Sequence, residues 1–86
     1  MKNRINILIV ENNKIQAGFI ESIFDPAKYD ISTISNGKAA YEHLAKTKQR
    51  DMVVLISYNL PSMTGIEVMK KIREQKIQIA FVFLTA

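Results

Sequence analysis

Residues 55–65 read LISYNLPSMTG, and the fold of the whole chain can be worked out from this stretch. An apolar strand ends at Ser57, a loop containing Pro61 follows, and a new helix begins near Gly65. A strand that passes through a short loop into a helix is typical of parallel-sheet proteins, which bind ligands beyond the carboxyl ends of their strands. Ser57 therefore lies at the position where such a fold places its chemistry.

The composition indicates one globular domain, residues 1–86, and argues against several classes of protein. The 86 residues are 48% hydrophobic and 23% charged, which is typical of a folded chain rather than a disordered one. Cysteine is absent, so the sequence offers neither a disulfide framework nor a thiolate metal site. No apolar run approaches the roughly 20 residues of a membrane span, and the basic start lacks the cleavage site of a signal peptide. We therefore expect a cytoplasmic protein without membrane contact.

The formal net charge of +4 raises the question of nucleic-acid binding. The Lys and Arg residues are scattered through every segment, and the densest group, within residues 70–76, has no aromatic residues between its charges. Nucleic-acid interfaces usually combine a clustered basic surface with a recognisable motif, and this sequence has neither. We expect nucleic acid to be contacted only through a domain that is not in this chain.

Four short apolar or β-branched runs predict strands, and segments with helical periodicity separate them. The predicted strands are 5–10, 29–35, 52–57 and 79–85; the first helix ends at the Asp25–Pro26 pair, and the others span 38–46 and 65–74. Asn12 or Asn13 can cap the first helix, and Thr64 can cap the third. The order βαβαβαβ predicts an α/β fold with a parallel sheet and right-handed crossovers.

The spacing of apolar residues also predicts which side chains enter the core. In the third helix, Ile66, Met69 and Ile72 recur at helical spacing, and we expect them to face inward. In the fourth strand, residues 81–84 alternate between two apolar faces, and we expect both faces to be covered.

The carboxyl ends of parallel strands meet at one edge of a sheet, where we expect any functional site to lie. The residues at these ends are Glu11–Asn12, Ser35–Asn36, Ser57–Tyr58 and Thr85–Ala86. The sequence contains no phosphate-binding glycine loop, no zinc-ligand spacing and no Ser-His-Asp arrangement. The sole histidine, His43, falls on the second helix, where we expect it to face solvent.

Four segments together resemble the receiver domain of bacterial two-component response regulators. They are ILIVENN, NGKAAYEHL, VVLISYNLPSMTGIEVMKKIRE and VFLTA, and with their spacing the resemblance covers almost the whole chain. It implies a flavodoxin-like (CheY-like) parallel sheet with strand order 2-1-3-4. The fifth strand and last helices of a complete receiver are missing from the sequence, so the chain is expected to be a partial receiver domain.

The family's chemistry is phosphoryl transfer from a histidine kinase to an aspartate at the end of the third strand, assisted by Mg²⁺. Carried over by resemblance, the acceptor position falls on Ser57, and the acidic pair after the first strand falls on Glu11 and Asn12. The backbone carbonyl that binds the metal falls on Asn59, and the switch hydroxyl at the end of the fourth strand falls on Thr85. The family's lysine on the fifth strand lies beyond the sequence.

These positions predict a pseudo-receiver, a receiver that is not phosphorylated on the usual aspartate. Glu11 is the one carboxylate left of three, so we expect no cofactor and at most weak Mg²⁺ binding at Glu11, Asn12 and Asn59. The neutral hydroxyl of Ser57 is a poor nucleophile unless a base activates it, so no catalytic residue is expected. Instead, Ser57 and Asn12 are expected to hydrogen-bond directly.

The leading hypothesis is a non-enzymatic regulatory module that binds another protein: a histidine kinase, an output domain or a second copy. A homodimer through the exposed edge of the fourth strand is one such arrangement. Two alternatives stay open. Ser57 could act as a degenerate phospho-acceptor with Glu11 and Mg²⁺, or the chain could be a structural oligomerisation domain of a larger transcriptional regulator.

Overall fold

Strands and helices alternate strictly along residues 4–84, the part of the chain that the computed structural model describes. The elements are β1 (Ile5–Val10), α1 (Lys14–Ile23), β2 (Tyr29–Ile34), α2 (Gly37–Lys46), β3 (Met52–Ser57), α3 (Gly65–Glu74) and β4 (Ala80–Leu84). The predicted βαβαβαβ order is confirmed. Each of the strand and helix bounds lies within two residues of the sequence prediction.

The four strands form one parallel sheet in the order β2-β1-β3-β4, as predicted. In the register of the sheet, Val10 at the end of β1 pairs with Ile34 of β2 and with Ile56 of β3. Ser57 at the end of β3 pairs with Leu84 of β4. All four strands therefore end at the same edge, the edge at which a site was expected.

The larger part of the core lies between the sheet and the helices α2 and α3. Side chains from the sheet and from both of these helices are almost completely buried there, among them Leu8, Val10, Leu44, Val54, Ile56, Val68 and Ile72. Tyr41, Ala45, Phe81 and Phe83 pack against this cluster from its margin. Alternation along β1 places Leu8 and Val10 on this face and Ile7 and Ile9 on the other, and all four are buried. β1 is thus covered on both sides, as its continuous apolar run predicted.

The opposite face of the sheet is covered less completely in the described part of the chain. Here Ile7, Ile9 and Ala17 are buried, but Phe19 of α1 is 65% exposed and Val82 of β4 is 48% exposed. The expectation that both faces of β4 are covered is therefore wrong for Val82. The reason is that α1 contacts β1 chiefly, whereas β4 lies two strands further along the sheet.

The N-termini of α1 and α3 are capped by residues that the sequence predicts as caps. Asn13, rather than Asn12, caps α1, and its side chain accepts a hydrogen bond from the Gln16 N–H at 3.0 Å. Thr64 caps α3 as predicted, in a capping box with Glu67.

Within α3 the inward face is centred differently from the prediction. Ile72 is buried, but Ile66 and Met69 are only half-buried and Val68 lies in the core.

The C-terminus of α3 is closed by a residue in the left-handed conformation. Lys76 has φ 62°, its N–H donates to the Arg73 carbonyl at 2.9 Å, and the Ile77 N–H donates to the Ile72 carbonyl at 3.3 Å. This pair of bonds satisfies two of the free carbonyls at the helix end, and the buried Ile77 anchors the turn. Glycine is the residue that adopts this conformation without steric cost.

We predict that Lys76→Gly stabilises the protein. Removing the strain of the left-handed backbone should raise the free energy of unfolding by about 0.5–1 kcal/mol. Lys70→Gly is the matched control, because it places glycine in the interior of the same helix and should lower the free energy of unfolding by about 1 kcal/mol. Urea unfolding measures both. A Lys76→Gly variant as destabilised as Lys70→Gly would contradict the assignment of this turn.

Candidate functional site

A cleft of about 300 Å³ opens at the carboxyl edge of the sheet. It is lined by Glu11, Asn12, Asn13, Gln16, Ser57, Tyr58, Asn59 and Leu84. Four of the five positions singled out from the sequence, Glu11, Asn12, Ser57 and Asn59, therefore meet in one place. The fifth, Thr85, lies outside the described residues. Tyr58 was named among the strand-end residues, but Asn13 and Gln16 were not predicted to line the cleft, because their inclusion depends on where α1 begins relative to the sheet.

The register of β1 and β3 brings Glu11 and Ser57 side by side. Val10 and Ile56 are paired neighbours, and each is completely buried. The next residue of each strand emerges at the edge of the core, where both side chains are half-buried. The Glu11 N–H also donates to the Ile34 carbonyl at 3.1 Å, which extends the β1–β2 ladder to this residue. The backbone of Glu11 is thus held in place before its side chain makes any contact.

Each oxygen of the Glu11 carboxylate accepts a hydrogen bond from a group of this chain. Its Oε1 accepts a hydrogen bond from the Ser57 hydroxyl, and its Oε2 accepts one from the Asn13 N–H at 3.0 Å. The expected bond between Ser57 and Asn12 is therefore not the one formed. The physical reason is that a charged carboxylate is a stronger acceptor than an amide oxygen, and Glu11 directly faces Ser57 across the paired strands. Asn12 is exposed on the rim of the cleft.

The donor set of the cleft does not fit Mg²⁺ well. Magnesium in proteins takes near-octahedral oxygen ligands and is commonly bound through one or two carboxylates. Across residues 4–84, no three His, Cys, Asp or Glu side chains lie close enough together to hold a metal ion. The single carboxylate in the cleft, Glu11, already accepts a hydrogen bond on each oxygen.

The loop that follows β3 is packed tightly beneath the site. A Cβ atom on Gly65 would lie 2.2 Å from the Ser57 carbonyl oxygen, so a larger residue would displace the backbone at the end of β3. The Gly65 N–H donates to the Tyr58 carbonyl at 3.0 Å. Tyr58 stacks on Phe83 with ring centroids 4.8 Å apart, although 43% of its surface remains exposed. The loop thus places Ser57 by close contact between backbones.

Comparison with known proteins identifies the family. The family description "Response regulator receiver domain" matches residues 7–86. The chain belongs to the response regulator receiver domains. The resemblance read from the sequence is confirmed, and so is the CheY-like parallel fold. This receiver domain is therefore a module of two-component signalling.

Relatives show the same relationship at the level of single proteins. This receiver domain is 34% identical over 80 residues to the alkaline phosphatase synthesis transcriptional regulatory protein PhoP of Bacillus subtilis, covering 93% of the chain and 32% of PhoP. It is 30% identical over 78 residues to the regulatory protein LuxO of Vibrio cholerae, covering 91% of the chain and 17% of LuxO. The chain thus spans a third or less of the length of these two relatives.

Two solved structures match closely in fold. The receiver domain of Francisella response regulator 1452 superposes with a TM-score of 0.85 at 25% identity, over 96% of this chain and 67% of that one. The receiver domain of a Pseudomonas aeruginosa sensor histidine kinase, which has a magnesium ion coordinated in its active site cleft, gives a TM-score of 0.85 at 26% identity. That match covers 98% of this chain and 69% of the other.

No helix in residues 4–84 is long and apolar enough to cross a membrane. His43 is exposed on α2, as predicted, and it does not line the cleft. The described lining of the cleft therefore combines one carboxylate, the hydroxyls of Ser57 and Tyr58 and several amides, without an imidazole.

We predict that Ser57→Ala destabilises this receiver domain through loss of the bond to Glu11. A hydrogen bond to a charged group contributes about 1.5–3 kcal/mol, and partial exposure of this pair should reduce the loss to about 1–2 kcal/mol. Ser35→Ala is the control, because Ser35 is an exposed serine at the end of the neighbouring β2, and it should change the free energy of unfolding by less than about 0.5 kcal/mol. Equal effects of the two substitutions in urea unfolding would show that the bond to Glu11 contributes nothing.

Proposed function

We propose that this chain is a pseudo-receiver, a receiver domain that regulates through protein interaction without phosphorylation of an aspartate at the end of β3. The observation that carries the proposal is the hydrogen bond from Ser57 to Glu11. It joins the residue at the acceptor position to the remaining residue of the acidic pair. A phosphate-accepting site needs these two groups to act on a metal and a phosphoryl group, whereas here they satisfy each other.

The chemistry available to Ser57 supports this proposal. A serine hydroxyl becomes an effective nucleophile when a general base takes its proton and a third group orients that base. Glu11 is the one carboxylate in the described cleft and accepts the Ser57 hydrogen bond, but a carboxylate is in general a much weaker base than an imidazole. His43 lies elsewhere, on the surface of α2. The arrangement favours a structural serine over a reactive one.

The electrostatics of the cleft support the same conclusion. Carboxylates crowded at one site repel each other, and together they attract a divalent cation more strongly than one carboxylate does. In this chain Asn12 stands at the second acidic position and Ser57 at the acceptor position. Both the repulsion between carboxylates and the main attraction for Mg²⁺ are therefore lost. The Pseudomonas receiver holds magnesium in its cleft, but the donor set here supports weak binding at most. The site is thus suited to one stable conformation without metal.

The implied role is a regulatory one inside a longer protein or assembly. We infer a cytoplasmic, non-enzymatic module whose partner is a histidine kinase or an output domain. The chain matches only 32% of PhoP, a transcriptional regulatory protein, so any contact with DNA is assigned to a part of the protein outside residues 1–86.

The decisive experiment compares the full-length protein with a variant that restores the carboxylates, Asn12→Asp combined with Ser57→Asp. Each is incubated with Mg²⁺ and acetyl phosphate, and its intact mass is recorded. We expect no added phosphoryl group on the native protein and one on the double variant. Phosphate mapped to Ser57 in the native protein would overturn the proposal and establish the alternative, a serine phospho-acceptor that uses Glu11.

Thermal unfolding gives a second readout that does not depend on phosphoryl transfer. A ligand that binds only the folded state stabilises it in proportion to RT ln(1 + [L]/Kd). The melting temperature of the double variant should therefore rise with Mg²⁺ concentration, while that of the native protein should stay constant. A magnesium-dependent rise in the native protein would contradict the proposed loss of metal binding.

Self-association is a second candidate role, favoured by the open edge of β4. β4 is an edge strand of the described sheet, and Val82 exposes an apolar side chain next to that edge. Exposed apolar edge strands pair readily with other chains. The competing arrangement is that residues of a longer protein cover this edge, as the greater length of the solved receiver domains allows.

We predict that sedimentation of the full-length protein separates these arrangements. If β4 pairs with a second copy, a concentration-dependent dimer should form, and Val82→Lys should weaken it at least tenfold because the charge would be buried. Lys28→Ala, on the opposite side of the sheet before β2, should leave the dimer unchanged. A monomer at all concentrations would exclude self-association through β4.

A further inference from the structure

The loop between β3 and α3, residues 58–64, is bonded to the first turn of α2, which is distant from it in sequence. The Gly37 N–H donates to the Pro61 carbonyl at 3.1 Å, and the Lys38 N–H donates to the Ser62 hydroxyl at 3.2 Å. The first four N–H groups of any helix lack partners within the helix. Two of these groups in α2 are therefore satisfied by this loop.

Asn36 joins the helix cap to the same loop. Its Oδ1 accepts a hydrogen bond from the Ala39 N–H at 2.8 Å, the usual bond of an N-cap residue. The same oxygen also accepts a bond from the Ser62 hydroxyl at 3.3 Å. The Ser62 hydroxyl thus donates a hydrogen bond to the cap residue Asn36 and accepts one from the Lys38 N–H of the helix backbone.

The contact between the two segments is close as well as hydrogen-bonded. Gly37 is buried, and a Cβ atom on it would lie 1.7 Å from the Met63 carbonyl oxygen. No residue with a side chain fits there unless the loop moves away. The loop and the helix end therefore share one packed surface.

The backbone of Ser62 is in an unfavourable conformation. Its φ is 68°, in the left-handed region that non-glycine residues seldom adopt. A conformation of this kind persists when the surrounding contacts compensate for it. The contacts around Ser62 are the two bonds of its hydroxyl and the neighbouring bond from the Gly37 N–H to the Pro61 carbonyl, and all three attach the loop to the start of α2.

We propose that Asn36 and Ser62 form a clasp that makes the β3–α3 loop and the first turn of α2 open and close as one unit. Because this loop begins with Tyr58 and Asn59 at the cleft, a partner that displaces it there would also uncap α2. By linkage, a partner that binds the start of α2 and a partner that binds the cleft would change each other's binding free energy by the same amount. The clasp rests on the contacts of the loop alone, and it holds whether or not Ser57 ever receives a phosphoryl group.

Backbone amide hydrogen exchange in the full-length protein tests the clasp through bonds that the substituted side chains do not make. Asn36→Ala should speed exchange at Met63 and Gly65 in and beside the loop by at least about fivefold, the effect of losing one hydrogen bond. Reciprocally, Ser62→Ala should speed exchange at Ala39 and Ala40 in α2 by a similar factor. The amides of α1 should be unaffected by either substitution.

Two control variants separate the clasp from general destabilisation. Asn13→Ala removes the same kind of cap from α1, and Ser22→Ala removes a serine bond to the Phe19 carbonyl. Both should leave exchange at Met63 and Gly65 within twofold of the native rate. Asn36→Asp keeps an acceptor for Ser62 and should restore the native rates.

The proposal fails if each substitution affects only its own segment, that is, if Asn36→Ala leaves the loop unchanged and Ser62→Ala leaves α2 unchanged. It also fails if Asn13→Ala speeds exchange in the loop as much as Asn36→Ala does. Should Ser62→Ala fail to fold, Ser62→Gly provides the same test, because glycine accepts a φ of 68° and still lacks the hydroxyl. Unchanged exchange at Ala39 and Ala40 in Ser62→Gly would overturn the clasp.

Discussion

The parallel pairing of β1 with β3 is the constraint on which the site depends. These strands are the two central strands of the sheet, and their paired ends at Val10 and Ile56 are completely buried. A shift of one residue in this register would turn every side chain of one strand to the other face, so the apolar core fixes the pairing. As a consequence, Glu11 and Ser57 must emerge next to each other, whatever chemistry their side chains can perform.

Much of this arrangement is predictable from the sequence because it follows from apolar patterns. The continuous apolar run at 5–10 identifies a strand buried on both faces, and the alternation of strands with helices leads to a parallel sheet. The placement of Glu11, Asn12, Ser57 and Asn59 at one edge then follows from topology. Thr85, which the resemblance assigns to the same site, lies outside the described residues.

The parts that the sequence does not reveal are set by distances of a few ångströms. The choice of Glu11 rather than Asn12 as the partner of Ser57 depends on which side chain faces it across the paired strands. The exposure of Val82 depends on how far α1 extends over the sheet, which apolar periodicity does not report. The bond of Ser62 to the cap of α2 joins residues 26 apart, and a serine in a loop gives no signal of such a contact.

The contacts at the site and at the clasp together position the β3–α3 loop of this receiver through hydrogen bonds within the chain. In a site with three carboxylates, the like charges repel one another unless a cation is bound between them. In this chain the Glu11 carboxylate accepts hydrogen bonds from Ser57 and Asn13, and Gly65 fits directly beneath the Ser57 carbonyl. The far side of the same loop is held at Gly37. A loop held at both ends in this way is positioned by contacts within the chain, and a signal that moves it must break those contacts.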